Sequence, residues 1–239
     1  MLVIHQPYFM PWLGYFSKLH YADNFVLLDD AYFTKGHYID RARIINMHGE
    51  AAWINIPVGQ NYNKPIIDVA IYDKKYIGNI ISTISHSYKK SRYYKETMGI
   101  IFEIEKKLYQ EDNLAEINQK IIGIINRELQ IRVNIDFSSR YNFLSNNITD
   151  KIISYCDIFS DNELLVGDGN GMETLDVMRL KENGISIFRQ SYFKNHPLYF
   201  QVLRQHLGFE KGLSIIDAIF NIGIEETIQL LNSVKIENY

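Results

Sequence analysis

The sequence contains a single cysteine, Cys156, in 239 residues, so neither an internal disulfide nor a cysteine-built zinc site can staple it. It has only five prolines and no Pro/Gly/Ser-rich linker, repeat or low-complexity tract. No apolar run approaches the roughly 18 residues that mark a membrane span. The opening stretch MLVIHQPYFMPW lacks the charged start of a signal peptide and interrupts its apolar run at His5. A cytoplasmic protein without an integral membrane segment is therefore expected. An excess of one charge is also missing. Lys and Arg number 25 against 28 Asp and Glu, for a net charge of −3, which leaves no broad basic face for DNA. There is no G-x-S-x-G elbow, Walker A loop or G-x-G-x-x-G fingerprint, and no metal motif of standard spacing. These absences argue against a serine hydrolase, an ATPase and a metal site.

What the chain does have is ordinary globular composition, 46% hydrophobic and 22% charged. A chain this long hides roughly 73% of its unfolded surface, enough for a core without staples. A single domain over 1–239 is expected, with a helical insertion over roughly 75–130. Aromatic content is high, with 17 Tyr and 13 Phe; most of these rings are expected to be packing.

Short strand patterns occupy Leu2–His5, Phe25–Asp29, Trp53–Val58 and Ile66–Ile71, with a helix over Trp12–Tyr21. Apolar spacing of three and four predicts helices over Tyr76–Tyr88, Tyr93–Tyr109 and Leu114–Leu129. Beyond them come a strand at Ile131–Phe137 and a helix at Asp150–Phe159, capped by Thr149 or Asp150. Next are a strand at Leu164–Val166, a helix at Met172–Glu182 ending at Asn183-Gly184, and a strand at Ile185–Arg189. Helices at Leu213–Asn221 and Glu225–Asn232 close the chain. This order predicts an α/β fold with a mixed or mostly parallel sheet, flanking helices and a helical middle segment, Rossmann-like character among the options.

Chemistry concentrates near the amino terminus. In His5-Gln6-Pro7-Tyr8-Phe9-Met10-Pro11-Trp12, two prolines forbid a helix or a central strand. A rigid loop is expected at the carboxyl end of the first strand, the edge where open α/β sheets bind ligands. His5 and Gln6 would waste hydrogen-bonding capacity if simply buried. DDAYFTKGHYIDRARI follows. Asp29 and Asp30 end a strand, and Lys35, Arg41 and Arg43 can neutralise a diphosphate; surface salt bridging accounts for them equally well. Arg41 and Arg43 share a side if this stretch is a strand. His86 is a weaker candidate. Gly167, Gly169 and Gly171 between strand and helix would admit a phosphate at a helix amino terminus, or serve only as a tight turn. Cys156, in an apolar helix, reads as an inert buried thiol.

Taken together, these segments resemble the WbqC-like family of bacterial proteins nearly end to end. The resemblance rests on HQPYFMPWLGYF at 5–16, FVLLDDAYFTKG with Arg41 after it, WINIPV, and HSYKKSRYY at 86–94. It continues through Ser138-Ser139, the glycine-bearing segment 167–171, Pro197 and Gln201 in HPLYFQ, and LSIIDAIFNIG at 213–223. The chain departs from the family pattern at Asp40, where Asn is expected, and at DGNGMETLD, where a simpler glycine turn before a Tyr is expected.

The resemblance implies a setting in O-antigen (surface-polysaccharide) biosynthesis. It implies N-acyl or aminoacyl transfer to the amine of a nucleotide-linked 4-amino-4,6-dideoxysugar. A glycosyltransferase of the same pathway and a non-catalytic sugar-nucleotide binder are the alternatives. On that reading His5 or Asp30 accepts the amine proton, and Gln6 donates to the oxyanion. Tyr8, Phe9 and Trp12 stack on a ring, and Lys35, Arg41 and Arg43 face the diphosphate. His86 contributes to substrate binding. Asp217 and Asn221, one helical turn apart, either grip sugar hydroxyls or tie the last helices. No cofactor is assigned. The acyl donor is carrier-protein-, coenzyme A- or tRNA-linked, so an acyl carrier protein or an aminoacyl-tRNA is a candidate partner, as is a second copy of the chain.

Overall fold

In the computed structural model, residues 1–59, 61, 63–169 and 172–239 are described. The opening unit is β1 (Leu2–His5), α1 (Leu13–Tyr21) and β2 (Asn24–Leu27). A long excursion follows: a hairpin of β3 (Arg41–Ile45) and β4 (Ala51–Asn55), then α2 (Tyr76–Tyr88), α3 (Tyr94–Gln110) and α4 (Leu114–Glu128). The chain returns through β5 (Asn134–Phe137), α5 (Ile148–Phe159), β6 (Glu163–Gly167), α6 (Val177–Glu182) and β7 (Ser186–Gln190), and ends with α7 (Ile215–Ser233) and β8 (Ile236–Asn238). The main sheet runs β5-β2-β1-β6-β7-β8, parallel except for β8. An α/β fold with a mixed, mostly parallel sheet is thus what the chain adopts.

Both sheet faces are covered, as a parallel sheet requires. Alternate strand residues go to opposite layers. Val3, Phe25, Leu27 and Leu165 join the layer containing α1, α4 and α7. Leu2, Val26, Leu164 and Ile187 join the layer of Ile152, Tyr155 and Leu180 on α5 and α6. The first layer runs without a break into the excursion through Ile44, Ile77, Ile104 and Ile121. Cys156 is buried in the second layer, where burial pushes its thiol up to about 12. Among the described residues no helix is long and apolar enough to cross a membrane.

Several expectations are corrected. Ile66–Ile71 is no strand: Ile66–Asp68 forms a single 3-10 turn after Pro65. Ile66, Val69 and Ile71 are buried but do not alternate, and their backbone bonds to other segments go to Ala31, Leu114 and Asp112. The WINIPV strand stops at Asn55 and pairs only with β3, outside the main sheet. Asn147, not Thr149 or Asp150, caps α5 by accepting from Thr149 N and Asp150 N. Met172–Glu182 is not one helix; a 3-10 turn (Met172–Thr174) precedes α6, whose cap is Asp176. No α-helix therefore begins directly behind the glycine segment. Asn170 and Gly171 of that segment lie outside the described residues. The last two expected helices merge into α7 across a kink at Gly223, where φ is +81°.

One glycine fixes how the loop after β7 meets α1. A Cβ on Gly14 would fall 2.5–2.8 Å from ring carbons of Tyr192. That ring is buried, and its hydroxyl donates to His196 Nε2 at 2.7 Å, so it cannot swing away. Gly14→Ala should therefore cost about 1–3 kcal/mol, read as a lowered midpoint in urea at unchanged slope.

Candidate functional site

The sheet order reverses between β1 and β6, which are adjacent while their following connections run to opposite edges. In open α/β sheets this reversal makes the crevice where ligands bind. Here the ladder across that reversal is short. β1 holds four register pairs with β2, but with β6 only one, Leu2 with Leu164 at the amino end. No further register pair joins β1 to β6 toward His5 and Gly167.

The loop leaving β1 is held on three sides. Asn118 Nδ2 on α4 donates to Pro7 O at 2.9 Å and to Ile39 O at 2.7 Å. Phe9 N donates to Tyr38 O, and Ile215 N, at the start of α7, donates to Pro11 O. Met10 takes a positive φ of 40° to complete the bend. Phe9 consequently turns into the core and is fully buried; it packs rather than facing a ligand.

His5 stands at the crevice, partly exposed, edge-on to Tyr8 and Tyr15 at 4.7 Å each and near Trp12 at 6.4 Å. Its Nδ1 lies 3.1 Å from Gln6 O. A carbonyl only accepts, so Nδ1 carries the proton and Nε2 the free lone pair. Burial, and then the Lys18 charge, hold His5 well below the usual histidine range, against the pull of the Gln6 carbonyl. At neutral pH it is an uncharged imidazole with a basic nitrogen. Tyr15 OH donates to the same carbonyl at 3.1 Å. The Gln6 side chain is partly exposed beside it.

The rings continue outward as a wall. Tyr8 and Trp12 lie 5.6 Å apart, Trp12 and Tyr38 4.7 Å, and Tyr38 and Trp53 5.3 Å. Burial pushes the Tyr8 phenol up to about 12, so it stays neutral. At the far end the Arg41 guanidinium sits 4.3 Å over the Trp53 ring, a cation–π contact. Arg41 donates to Gly36 O, while its buried Nε has no partner. Arg43, on the same side of β3 as expected, lies 5.9 Å from the Trp53 ring centre. It is paired with Glu210 at 2.7 Å, a carboxylate it shares with Arg204 at 3.4 Å. Lys35 is exposed on the loop before β3.

The two acids past β2 separate in character. Asp29, 1% exposed, accepts from Ser139 N at 2.9 Å, Ser139 Oγ at 2.7 Å and Ser138 Oγ at 3.0 Å. It is saturated and ties β2 to β5. Asp30 is exposed, contacts Ser138 Oγ, and lies 3.7 Å from Lys151 Nζ. Among the described residues no cluster of three or more His, Cys, Asp and Glu is arranged to hold a metal.

Three other sequence candidates lie apart from the loop. His86 sits on the exposed side of α2, its Nδ1 2.7 Å from Ser82 O one turn back. Asp217 and Asn221, 0% and 3% exposed, serve the interior. Asp217 accepts from Tyr88 OH and Tyr199 OH at 2.9 Å each and from Gln201 Nε2 at 3.3 Å. Asn221 accepts from Val202 N at 3.0 Å and donates to Asp217 O at 2.7 Å. Of the two roles weighed for this pair, tying the helices is the one the geometry displays. The clefts along α7 are lined by Glu96, Glu128, Glu225 and Glu226 and by no residue of the His5 loop; their carboxylates repel a diphosphate.

Sequence reasoning missed Lys18. It lies on α1 in LGYFSKLHY, within an unbroken buried run from Leu13 to Leu19, and is itself only 7% exposed. A Cβ on Gly167 would stand 3.1 Å from its Nζ, so the ammonium passes over the bare Cα at the end of β6. Burial lowers Lys18 to about 8, opposed by the charge of Asp168. Asp168 itself is engaged by Arg189 Nε at 2.8 Å and Ser191 Oγ at 3.0 Å. The available signal was a lysine among seven core-facing helix positions. Its direction, toward β6, is a matter of tertiary structure.

A sequence model described as the WbqC-like protein family matches residues 6–229 of the chain. An uncharacterized protein of Mycobacterium tuberculosis is 25% identical over 230 residues, covering 94% of each chain. No solved structure matches.

Proposed function

The chain belongs to the WbqC-like protein family, and from that premise and the crevice geometry we propose that it is an N-acyltransferase. It moves an acyl or aminoacyl group onto the amine of a nucleotide-linked amino sugar of the 4-amino-4,6-dideoxysugar type, in O-antigen biosynthesis. The observation that carries this reading is the tautomer of His5. With Nδ1–H committed to the Gln6 carbonyl, Nε2 is an unprotonated base at the mouth of the crevice between β1 and β6.

The chemistry follows from that base. A sugar amine attacks the acyl carbonyl, and the new C–N bond leaves a proton on nitrogen that must go before the carrier departs. His5 Nε2 accepts it. The C–S or C–O bond to the carrier then breaks, and the carrier leaves with the proton that His5 returns. On this reading the Gln6 amide donates to the oxyanion of the tetrahedral intermediate. Tyr8 and Trp12 offer stacking faces for the sugar or base, and Arg41, with its unpartnered Nε, offers a donor at the far end of the ring wall. Asp30, with Lys151 beside it, is the second candidate for the proton.

Mass spectrometry of UDP- and dTDP-linked amino sugars, incubated with acyl-carrier-protein, coenzyme A and aminoacyl-tRNA donors, tests the proposal. The expected product is the intact nucleotide sugar, heavier by one acyl group. Release of free nucleoside diphosphate would instead indicate glycosyl transfer. Ligand binding without turnover by any donor would reduce the protein to a sugar-nucleotide carrier.

A further inference from the structure

We propose that the Lys18 ammonium, buried over Gly167 at the end of β6, is the cation that holds the diphosphate of the substrate. The inference rests on the nucleotide-sugar reading above and assigns the anion to a place that reading left to Lys35, Arg41 and Arg43. Three observations converge on it. First, Arg43 is held against Glu210 at 2.7 Å, and Lys35 is exposed on the loop before β3, whereas Lys18 stands where the sheet order reverses. Second, the residue opposite its Nζ is a glycine whose Cβ would lie 3.1 Å from that nitrogen. A side chain at this position would press the ammonium aside by a few tenths of an ångström. Third, the nearest counter-charge, Asp168, is turned to Arg189 and Ser191. Among the described residues Lys18 has no ion-pair partner within 4 Å.

A buried ammonium without a partner costs the fold several kcal/mol in desolvation. A protein keeps such a group where an incoming anion completes it. A diphosphate is the class that fits. It brings two or more negative charges to a crevice lined by a neutral imidazole and phenols, and its sugar then extends past His5 along Tyr8 and Trp12. Lys acts as a point-charge binder of phosphate, which suits a single compact ammonium at a strand end.

The test is calorimetric titration of the intact protein with UDP, dTDP, GDP, inorganic pyrophosphate and the matching nucleosides, in wild type, Lys18→Met and Gly167→Ala. Lys18→Met is expected to weaken nucleoside diphosphate and pyrophosphate by about tenfold or more, to leave nucleoside binding unchanged, and to hold or raise the melting temperature. Gly167→Ala displaces the ammonium by a few tenths of an ångström and is expected to weaken the same anions at nearly unchanged stability. It decides the matter if Lys18→Met fails to fold. Undiminished diphosphate affinity in the folded variants would overturn the inference and leave the acyl-transfer proposal standing. Lys18-dependent binding of pyrophosphate without any nucleoside diphosphate would uphold the anion site and overturn the nucleotide-sugar reading. Binding of neither by wild type would overturn both.

Discussion

Alanine at His5 is expected to lower turnover of the amino-sugar substrate by about 10²–10⁴-fold, the usual worth of a positioned general base. The fold should survive, since the imidazole is partly exposed and makes its one hydrogen bond to the adjacent Gln6 carbonyl. Loss is expected in kcat rather than KM, because the ring wall of Tyr8, Trp12 and Tyr38 is left standing. The pH profile carries the sign. Burial and the Lys18 charge hold His5 below 6.5, so Nε2 stays unprotonated through neutrality and the acid limb of kcat/KM falls below the ordinary histidine range. In Lys18→Met one of the two depressing causes is gone, and that limb should move upward. A limb that stays in place, or a His5→Ala variant with wild-type kcat, would assign the proton to another group, Asp30 first.

Asp217→Ala is expected to cost about 3–5 kcal/mol, near the top of the single-substitution range. Three donors lose their acceptor at once: the Tyr88 and Tyr199 hydroxyls and the Gln201 amide. Each buried donor left unmade costs about 1–3 kcal/mol, and the strain is shared as the interior relaxes. For a chain of this size the melting temperature should drop by on the order of 10 °C. The carboxyl also gives the wild type a pH signature. Burial raises Asp217 from 3.8 to about 6, against the hydrogen bonds from Tyr88, Tyr199 and Gln201. In that window the folded carboxyl keeps its proton while the unfolded one has lost it. Stability from this group is therefore present below about pH 4 and is lost as pH rises to about 6. The full span is worth about 3 kcal/mol. Denaturant midpoints across pH 4–7 in wild type and Asp217→Asn should differ by this slope, and parallel curves would refute it.

The helices of the excursion were legible because their information is local. α2 begins and ends at the expected residues, and α4 differs by one, since apolar spacing and the Asn113 cap act within a few turns. The loop after β1 was legible for the same reason: Pro7 and Pro11 exclude regular structure whatever surrounds them. Ile66–Ile71 misled because a short apolar run reads the same in a strand and in a 3-10 turn whose outward bonds go to three separate neighbours. Asp217 and Asn221 were singled out through the family resemblance of LSIIDAIFNIG, but the inward direction of that face depends on Tyr88 and Tyr199, which lie outside that stretch.

By itself the sequence determined the alternation of strands and helices, the rigid polar and aromatic loop behind the first strand, and the family to which the chain belongs. These depend on backbone sterics, side-chain period and motif identity, all carried by neighbours along the chain. Only the tertiary structure decided that β6 lies beside β1, that Arg43 pairs with Glu210, and that Lys18 lies across Gly167. Those facts depend on which distant segments meet. A lysine's place in the crevice is set by a strand that begins about 150 residues later, and no local pattern encodes that approach.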